Sequence, residues 1–187
     1  MIAEKKIETQ RCTYSEYKEW ETEENYELID GIAYAMTAPT FTHQRISRKL
    51  FKEIDRFLEG KSCEAFYSPI AIRINADTYD DNVFLPDIVV ICDKSKIVDD
   101  KSYIGAPELV VEILSPSSVC LDRVKKYHMY LKAGVKEYWI VDPESKTVNV
   151  CILHDENYIV WAYDHNDLLL SKVLIGCIIE LNKIFET

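Results

Sequence analysis

The stretch of sequence that decides the fold is PELVVEILSPSS, residues 107–118. Its segment 109–114 is apolar at every position except Glu112, and a run that is apolar on both faces is typical of a central strand covered on both sides. A helix that ends before Gly134 and a second strand at 137–141 follow this run. The strand–helix–strand unit, with hairpins before and after it, predicts a mixed α/β sheet.

Hydrophobic periodicity and turn residues predict the elements outside this unit. The Asp-Gly pair at 30–31 predicts a hairpin, and Thr13 with Glu16 forms a capping-box pattern at the start of the first helix. The predicted elements are a helix at 13–24, a hairpin at 26–36, a helix at 42–58, strands at 65–74 and 83–92 around a polar loop, and a meander at 147–163. No repeat or linker interrupts them, so residues 1–187 are expected to form a single domain.

Composition indicates a globular protein, and no stretch of the sequence is typical of a membrane span or a secretory signal. Of the 187 residues 48% are hydrophobic, but apolar runs such as 88–92 are strand-length, far below the roughly 20 residues of a membrane span. Residues 1–11 have no apolar stretch after their charges, so a secretory signal is not expected and the predicted location is cytoplasmic. The six cysteines lack zinc-ligand spacing and lie mostly in apolar runs, so they are expected to be free, buried thiols.

The formal net charge of −10 argues against a protein that holds DNA through phosphates over its whole surface. Three explanations stay open: the basic residues are concentrated on one face, a metal ion supplies local positive charge, or the substrate is not nucleic acid. The densest basic cluster lies on the predicted helix at 42–58. Its members, with one residue from the later helix, are Arg45, Arg48, Lys49, Lys52 and Lys125.

Glu112 is the most informative single residue, because a carboxylate within an apolar central strand is costly unless a positive charge compensates it. It could form a buried ion pair with a lysine or arginine, or it could bind a metal ion. Asp87, which follows Pro86 at the entrance of a strand, could be an ordinary polar residue. Two carboxylates on neighbouring strands are also what a hard ion such as Mg²⁺ requires, with water completing its ligand shell.

The helix after the central strand supplies a cation. Asp122, Lys126 and Tyr130 recur at every fourth position and share one stripe of the helix, whereas Val124 and its apolar neighbours are predicted to face the core. Spacing alone favours a solvated salt bridge between Asp122 and Lys126. The alternative is that Lys126 reaches the pocket of Glu112. Tyr130 is predicted to be a packing residue with a hydrogen-bonded hydroxyl.

Several segments together resemble the Uma family of proposed endonucleases, which belongs to the PD-(D/E)XK nuclease superfamily. They occur in the family's order between about residues 14 and 153. The segments are YELIDG at 26–31, THQ at 42–44, PDIVV at 86–90, PELVVEILSPSS at 107–118, the residues Asp122, Lys126 and Tyr130, AGV at 133–135 and EYWIVDP at 137–143. The resemblance implies a restriction-endonuclease-like α/β fold, in which helices flank a central mixed sheet that carries additional hairpins.

The resemblance also implies roles for individual residues. Asp87 is similar to the superfamily's first metal-binding aspartate, and Glu112 is similar to its second acidic ligand. The superfamily's lysine usually lies two residues after that acid, where this chain has Leu114. The family's pattern points instead to Lys126 on the following helix as the residue that orients the attacking water and stabilises charge on the phosphate.

Three further residues are candidates for the same site. Glu27, in the first hairpin, resembles an extra metal ligand that some nucleases of this fold have, and its alternative is a carboxylate in water. The backbone carbonyl of Ile113 neighbours Glu112 and could reach the same ion. His43 could contact phosphate or assist proton transfer, although a histidine near the start of a helix is more often an ordinary surface residue.

The function expected from these residues is hydrolysis of DNA phosphodiester bonds with Mg²⁺ or Mn²⁺ as the cofactor. A second hypothesis is a binding or assembly module that keeps the nuclease fold without turnover, which the acidic charge and the missing local lysine favour. The aromatic residues of the meander are expected to fill a core or a subunit interface, so a homodimer is the predicted assembly.

Overall fold

The structure, a computed structural model, describes residues 11–22, 24–116, 118 and 121–186. Parts of four expectations lie outside these residues: the segment 1–10, Glu23 of the first predicted helix, Ser117 of the turn after the central strand, and Cys120 among the free thiols. Within the described residues, no helix is both long and apolar enough to cross a membrane.

Short strands outnumber helices along the described chain. In chain order the elements are α1 (Tyr14–Tyr17), β1 (Tyr26–Ile29), β2 (Ile32–Ala35), α2 (Phe41–Leu58), β3 (Glu64–Tyr67), β4 (Ala71–Arg73), β5 (Val83–Phe84), β6 (Ile88–Ile91), a 3₁₀ turn (Lys94–Lys96), β7 (Ile97–Val98), β8 (Ser102–Ile104), β9 (Leu109–Ile113), a π-helix (Leu121–Lys126), α3 (Tyr127–Ala133), β10 (Glu137–Asp142), β11 (Thr147–His154), β12 (Asn157–Asp164), β13 (Leu168–Leu170), β14 (Ile178–Glu180) and α4 (Leu181–Phe185). This mixture of strands and helices belongs to the α/β class that the sequence predicts.

The central sheet has six strands in the order β12-β11-β10-β9-β6-β3. All five residues of β9 are buried, and the strand lies between a parallel partner, β10, and an antiparallel partner, β6. The predicted central strand covered on both faces is therefore confirmed. Its connection to β10 passes through the π-helix and α3, because parallel neighbours need a long crossover.

The two faces of β9 meet different layers. On one face Leu109, Val111 and Ile113 belong to a core that includes the apolar stripe of α2. On the other face Val110 and Leu114 belong to a core shared with α3 and with a second sheet. Because side chains alternate along a strand, Glu112 points toward this second layer.

The second sheet has the order β2-β1-β5-β4-β8-β7. The sequence predicts continuous strands at 65–74 and 83–92, and this is wrong, because each region is divided between the two sheets. Pro69 and Pro86 lie at the two breaks, and proline has no amide hydrogen to donate to a strand ladder. The second break leaves Asp87 immediately before β6, where the chain passes from one sheet to the other.

The predicted helices differ in outcome. α2, capped by Thr40, agrees with the helix predicted at 42–58 to within one residue. The helix predicted at 13–24 is reduced to the single turn of α1, although its capping box is present. The rings of Tyr17, Trp20 and Tyr26 pack edge to face. This tertiary packing outweighs a weak local helix preference. The hairpin turn at Asp30 and Gly31 is confirmed, with both φ angles positive.

The C-terminal segment, for which the sequence predicts no element, forms a β13–β14 hairpin and α4. Its anchor is the buried carboxylate of Glu137 on β10. Oε2 of Glu137 accepts hydrogen bonds from the amides of Lys172 and Val173 at 2.8 and 2.7 Å. The hydroxyl of Ser171 donates to the same oxygen, and the indole nitrogen of Trp139 donates to Oε1. Three of the four donors lie 34 to 36 residues away, so local patterns carry no sign of the anchor.

One expectation about the cysteines is wrong. Cys63 and Cys92, expected to be free thiols, form a disulfide with their Cα atoms 4.0 Å apart. They flank the antiparallel pair of β3 and β6, which brings together two positions 29 residues apart in the chain. The free, buried cysteines of the described residues agree with the expectation and are Cys12, Cys151 and Cys177.

Candidate active site

A single ammonium group lies among three buried carboxylates. Nζ of Lys126 is 2.9 Å from Oε2 of Glu27 and 3.0 Å from Oε1 of Glu112. The same atom is 3.1 Å from Oδ1 of Asp122, and all four side chains are at most 5% exposed. A solvated salt bridge between Asp122 and Lys126, which spacing alone favours, is therefore wrong.

Three elements bring these groups together. Glu27 lies in β1 of the second sheet, and Glu112 lies in β9 of the central sheet. Asp122 and Lys126 lie four residues apart in the π-helix that follows β9. A π-helical turn is wider than an α-helical turn and is frequent at functional sites. The site is therefore enclosed between the two sheets.

The orientation of the segment 121–133 is only partly as predicted. Asp122, Lys126 and Tyr130 do share one stripe, and all three are buried. Val124, predicted to face the core, is 51% exposed instead. The polar stripe faces inward because Lys126 pairs with buried carboxylates on β1 and β9. The spacing of residues within the helix gives no information about these partners.

The charges of this cluster do not cancel. Burial by itself would lower the pKa of Lys126, but the neighbouring carboxylates, led by Glu112, outweigh it and hold that pKa well above its ordinary value. Burial raises the pKa of Glu112 well above its ordinary value, an effect that Lys126 opposes and the nearby carboxylates reinforce. The ammonium therefore stays protonated, while the site keeps an excess of acidic groups.

Tyr130 fixes the carboxylate of Glu112. Its hydroxyl donates a hydrogen bond to Oε1 at 3.0 Å, the oxygen that Lys126 also contacts. Burial, reinforced by the nearby carboxylates, raises the pKa of Tyr130 well above its ordinary value, so the hydroxyl keeps its proton. The ring packs 5.0 Å from the rings of Phe84 and Tyr138. The predicted packing residue with a hydrogen-bonded hydroxyl is confirmed.

Asp87 forms the second part of the site. Its Oδ2 accepts a hydrogen bond from the amide of Ile113 at 2.8 Å. That amide belongs to the peptide link directly after Glu112, so Asp87 lies against the strand that carries Glu112. The predicted proximity of the two carboxylates thus has a structural basis in the β6–β9 pair.

His43 is brought to Asp87 by the first turn of α2. Its Nε2 lies 3.1 Å from Oδ2 of Asp87, and its side chain is only 11% exposed, so the expected surface residue is wrong. Burial by itself would lower the pKa of His43, but the hydrogen bond and charge of Asp87 outweigh it and raise that pKa. The backbone of Ile113 adds to this rise.

Asp87 and Glu112 each keep one carboxylate oxygen that accepts no hydrogen bond from the described residues. The hydrogen bonds of Asp87 fall on Oδ2, and those of Glu112 fall on Oε1. Oδ1 of Asp122 is buried and accepts no hydrogen bond of full geometry from the described residues, although Lys126 is near it. Across these residues, no group of three or more His, Cys, Asp or Glu side chains is spaced to hold a metal ion.

Asp87 also borders an open cleft of about 590 Å³. One wall of the cleft is α2, which contributes Arg45 and Arg48, and another is the end of β3 with Tyr67. The two arginines belong to the predicted basic cluster. The aromatic lining of this cleft was not predicted from the sequence. Its only sequence signal is the position of Tyr67, directly before the Ser-Pro pair at which the predicted strand is interrupted.

The rest of the predicted basic cluster has other surroundings. The ammonium of Lys49 donates to the backbone carbonyls of Lys183 and Glu186, and so ties α2 to the end of α4. Lys125 donates to the hydroxyl of Tyr34 at 2.6 Å and lies over its ring. Lys52 is exposed on α2. The positive charge at the cleft therefore comes from the two arginines.

The arrangement of a mixed central sheet, a strand-entrance aspartate and a glutamate within the adjacent strand is that of the restriction-endonuclease-like α/β class. A crystal structure described as "a putative nuclease belonging to DUF820" from Anabaena variabilis ATCC 29413 has the same fold. Its TM-score to this structure is 0.77 at 22% identity, over 93% of this chain and 97% of that chain. The chain belongs to the Uma2 family, described as "Putative restriction endonuclease", whose model matches residues 14–182.

Two curated relatives come from Synechocystis sp. (strain ATCC 27184 / PCC 6803 / Kazusa). The uncharacterized protein slr1290 is 33% identical over 164 residues, which is 84% of this chain and 83% of the relative. The uncharacterized protein sll1609 is 26% identical over 139 residues, which is 72% of this chain and 76% of the relative. The family match reaches beyond the segment 14–153 that the motifs cover, and it includes the β13–β14 hairpin.

Proposed function

We propose that the protein is an endonuclease that hydrolyses DNA phosphodiester bonds with Mg²⁺ or Mn²⁺. The observation that carries the proposal is the 3.0 Å contact between Lys126 and Glu112. Asp87 lies beside it and accepts a hydrogen bond from the amide of Ile113, the residue after Glu112. Two carboxylates and one ammonium on adjoining elements are the groups that metal-assisted hydrolysis of a phosphodiester needs. Membership of the Uma2 family and the nuclease-like fold support the same class of function.

The residues of the site fit a hard divalent cation. Its ligands would be Asp87 and Glu112, with the carbonyl of Ile113 as a further candidate. Mg²⁺ ordinarily takes one or two protein carboxylates and keeps several waters, so it does not require a cluster of three carboxylates. Such an ion would be coordinated by the unused carboxylate oxygens, and its positive charge would offset the excess of acidic groups. When bound, the ion would polarise a phosphoryl oxygen and activate a water molecule.

Lys126 acts in this proposal as a fixed positive charge. Because its pKa lies above its ordinary value, it is an ammonium that donates hydrogen bonds and stabilises negative charge on the phosphate, and it is not a general base. Glu27 holds it in place. One oxygen of Glu27 contacts Lys126, and the other accepts from the amide of Leu85 at 2.9 Å. Both oxygens are thereby used, so we assign Glu27 a positioning role in place of a metal ligand.

His43 is the proposed proton carrier. One ring nitrogen contacts Asp87, and the other, Nδ1, is buried without a partner of full hydrogen-bond geometry among the described residues. Because the pKa of His43 is raised, the imidazole carries a proton on the nitrogen that faces Asp87, and it can supply this proton to a phosphate oxygen or a leaving oxygen beside Asp87. The asparagine variant of Asp87 would remove the charge that keeps this proton in place.

Cleavage assays on single- and double-stranded DNA with Mg²⁺ or Mn²⁺ test the proposal. Wild type is compared with Asp87→Asn and Glu112→Gln, which remove charge while keeping shape, and with Glu156→Gln in the exposed β11–β12 turn. Wild type and Glu156→Gln are expected to cut in a metal-dependent manner. Asp87→Asn and Glu112→Gln are expected to cut about 100-fold more slowly or not at all, because charge stabilisation of this kind contributes about that factor.

Metal binding gives a readout that does not depend on turnover. Calorimetric titration with Mn²⁺ should give weaker binding to Asp87→Asn and Glu112→Gln than to wild type and Glu156→Gln. Cutting or Mn²⁺ binding that persists unchanged in Glu112→Gln would show that this carboxylate is not a ligand and would remove the basis of the proposal.

A second candidate function is a nuclease-fold module that binds without turnover. One observation favours it: the ammonium of Lys126 is fully enclosed by three ion pairs, which limits its reach toward a substrate. Turnover separates the two hypotheses, because an inactive site can still bind a metal ion. Well-folded wild type that binds DNA and Mn²⁺ but cuts no substrate would favour the binding module.

We also propose that a second copy of the chain is a partner. β12 is an edge strand of the central sheet and exposes Ile159, Val160 and Trp161, each about half exposed. Edge strands are prone to pair, and an apolar one is best covered. Light scattering of the wild-type protein should give twice the chain mass of 21.8 kDa. The variant Trp161→Glu should give the mass of a single chain. The single-domain organisation and the cytoplasmic location stay predictions.

A further inference from the structure

The cleft beside Asp87 carries two exposed aromatic rings that the proposed chemistry does not use. Phe41 is 85% exposed and Tyr67 is 63% exposed, and both line the cleft. Aromatic side chains bury a large area when they find a partner. Two of them left open in one concave site indicate a ligand with a flat apolar face.

Tyr67 is held in a defined position although most of it is accessible. It is the last residue of β3, which is one of the two edge strands of the central sheet. Its ring packs edge to face on Phe51 of α2, with ring centres 5.1 Å apart and planes at 86°. A ring restrained by one aromatic neighbour loses little freedom when a ligand stacks on it, which favours binding.

Positive charge lies on the same wall of the cleft. Arg45 and Arg48 follow Phe41 by four and seven residues, so the three side chains share one face of α2. Both arginines are exposed, and neither forms an ion pair with any described residue. In a chain of net charge −10, this is a local positive surface in the cleft that Asp87 borders.

Rings beside guanidinium groups fit single-stranded nucleic acid. Aromatic side chains stack on unpaired bases, and arginines contact the phosphates that join them. In a duplex each base face is already covered by its neighbours, so a ring gains access only after unstacking. A cleft of about 590 Å³ is also within the ordinary size range of pockets for small ligands.

The charge of the whole chain favours the single strand further. A duplex carries a denser line of phosphates than one strand does, so an acidic protein repels it more strongly. Stacking does not depend on net charge and can hold a strand where phosphate contacts alone would be too few.

We infer that the cleft between α2 and β3 binds single-stranded DNA, with unpaired bases against Tyr67 and Phe41 and the adjoining phosphates on Arg45 and Arg48. The inference rests on the proposed nuclease function and names its substrate form. The strand reaches Asp87 from the side of α2, so that the phosphodiester bond to be cut belongs to an unpaired segment.

Binding measured without turnover tests this inference. Fluorescence anisotropy in EDTA compares a labelled single strand with the blunt duplex of the same sequence and with the matching single-stranded RNA. Wild type is expected to bind the DNA single strand most tightly. Tyr67→Ala should weaken this binding about 5- to 100-fold, the usual effect of removing one stacking ring. Tyr67→Phe should keep the affinity, and so should Tyr79→Ala, which removes a 75% exposed tyrosine outside the cleft.

The phosphate contacts have a separate readout. Arg45→Ala should weaken binding, and its plot of log affinity against log salt should become shallower by about 0.7 for each phosphate that the arginine neutralises in wild type. Arg56→Ala, an exposed arginine near the other end of α2, should leave both quantities unchanged. Circular dichroism of each variant confirms that it is folded.

Three results would overturn the inference: duplex binding as tight as single-strand binding, tighter binding of RNA, or an unchanged affinity in folded Tyr67→Ala. The fate of the nuclease proposal is read independently from the cleavage assay. Wild type that binds single strands but cuts none keeps this inference and removes the nuclease. Cutting of duplex DNA that does not depend on Tyr67 keeps the nuclease and removes this inference.

Discussion

Nζ of Lys126 lies 3.0 Å from Oε1 of Glu112, and the two residues are 14 positions apart in the chain. The contact joins the middle of β9 to the π-helix that follows it. Glu27 and Asp122 share the same ammonium, so one buried cation compensates several acids. A buried ion pair of this kind adds little net stability when intact, but removing one partner leaves uncompensated charge away from water.

Lys126→Met is expected to destabilise the protein strongly. Loss of one partner from a buried ion pair costs about 3–5 kcal/mol of unfolding free energy. Urea denaturation followed by circular dichroism measures this loss. The matched control is Lys125→Met, which removes the exposed neighbouring lysine and its hydrogen bond to Tyr34. That control should cost about 1 kcal/mol or less. Equal losses in the two variants would contradict the buried position of Lys126.

The coupling between Lys126 and Glu112 is measurable in a double-variant cycle. Glu112→Gln combined with Lys126→Met should lose less unfolding free energy than the sum of the two single variants, because the glutamine removes one of the carboxylates that the methionine leaves unpaired. Strictly additive losses would show that the two side chains do not interact in solution.

The pair of His43 and Asp87 should stabilise the fold most at low pH. The pKa of His43 in the folded state lies above the ordinary value of 6.5. The stabilisation is therefore fully present below pH 6.5 and is lost as the pH rises through the folded-state pKa. The unfolding free energy of wild type minus that of His43→Gln, measured between pH 5 and pH 9, should fall with rising pH. In the Asp87→Asn background this fall with pH should be lost, because burial lowers the pKa of His43 and Asp87 no longer opposes it. A difference that grew with pH when Asp87 is present would reverse the assigned sign.

Glu137→Gln should loosen the C-terminal hairpin. An amide in place of the carboxylate leaves at least one buried donor among Trp139, Lys172 and Val173 without an acceptor, at a cost of about 1–3 kcal/mol for each. Hydrogen exchange should show faster exchange at the amides of Lys172 and Val173, and tryptophan fluorescence should report the change at Trp139. Glu180→Gln, which alters an exposed pair with Lys183, is the control and should change little. Unaltered exchange in Glu137→Gln would mean that the carboxylate does not anchor the segment.

Cys151 should be inert to alkylation in the folded protein. Burial raises the pKa of its thiol to about 12, so almost no thiolate is present at pH 8.5. Iodoacetamide labelling followed by peptide mass spectrometry should modify Cys151 only at the rate of unfolding and readily in urea. The same mapping without reductant should recover Cys63 linked to Cys92. Rapid labelling of Cys151 in the native protein would place it at the surface.

The parts of the fold that the sequence predicts well are those specified by local patterns. The apolar run of β9 predicts a doubly covered strand, and the Asp-Gly pair predicts the first hairpin turn. The division of the segments at 65–74 and 83–92 was not predicted, because a proline within an apolar run marks a break without telling which sheet each half joins. The C-terminal hairpin was not predicted for a similar reason, because the carboxylate that anchors it, Glu137, lies on a strand that is distant in the sequence.

The candidate site shows the same limit. The types and order of Asp87, Glu112 and Lys126 are visible in the chain, and their resemblance to a nuclease family follows from that order. The burial of Lys126 is not visible, because the four-residue spacing from Asp122 is the same for a solvated stripe and for a buried one. The position of His43 was likewise missed, since its partner Asp87 lies 44 residues away.

By itself the sequence determined the mixed α/β class, the central strand with its buried glutamate and the membership of a nuclease-like family, since periodicity, polarity and motif order are local properties of the chain. Only the tertiary structure decided that Glu27 shares the ammonium of Lys126, that His43 meets Asp87, and that rings and arginines line one cleft. These relationships depend on strand register and on the packing of two sheets, and they set distances between side chains that no local pattern encodes.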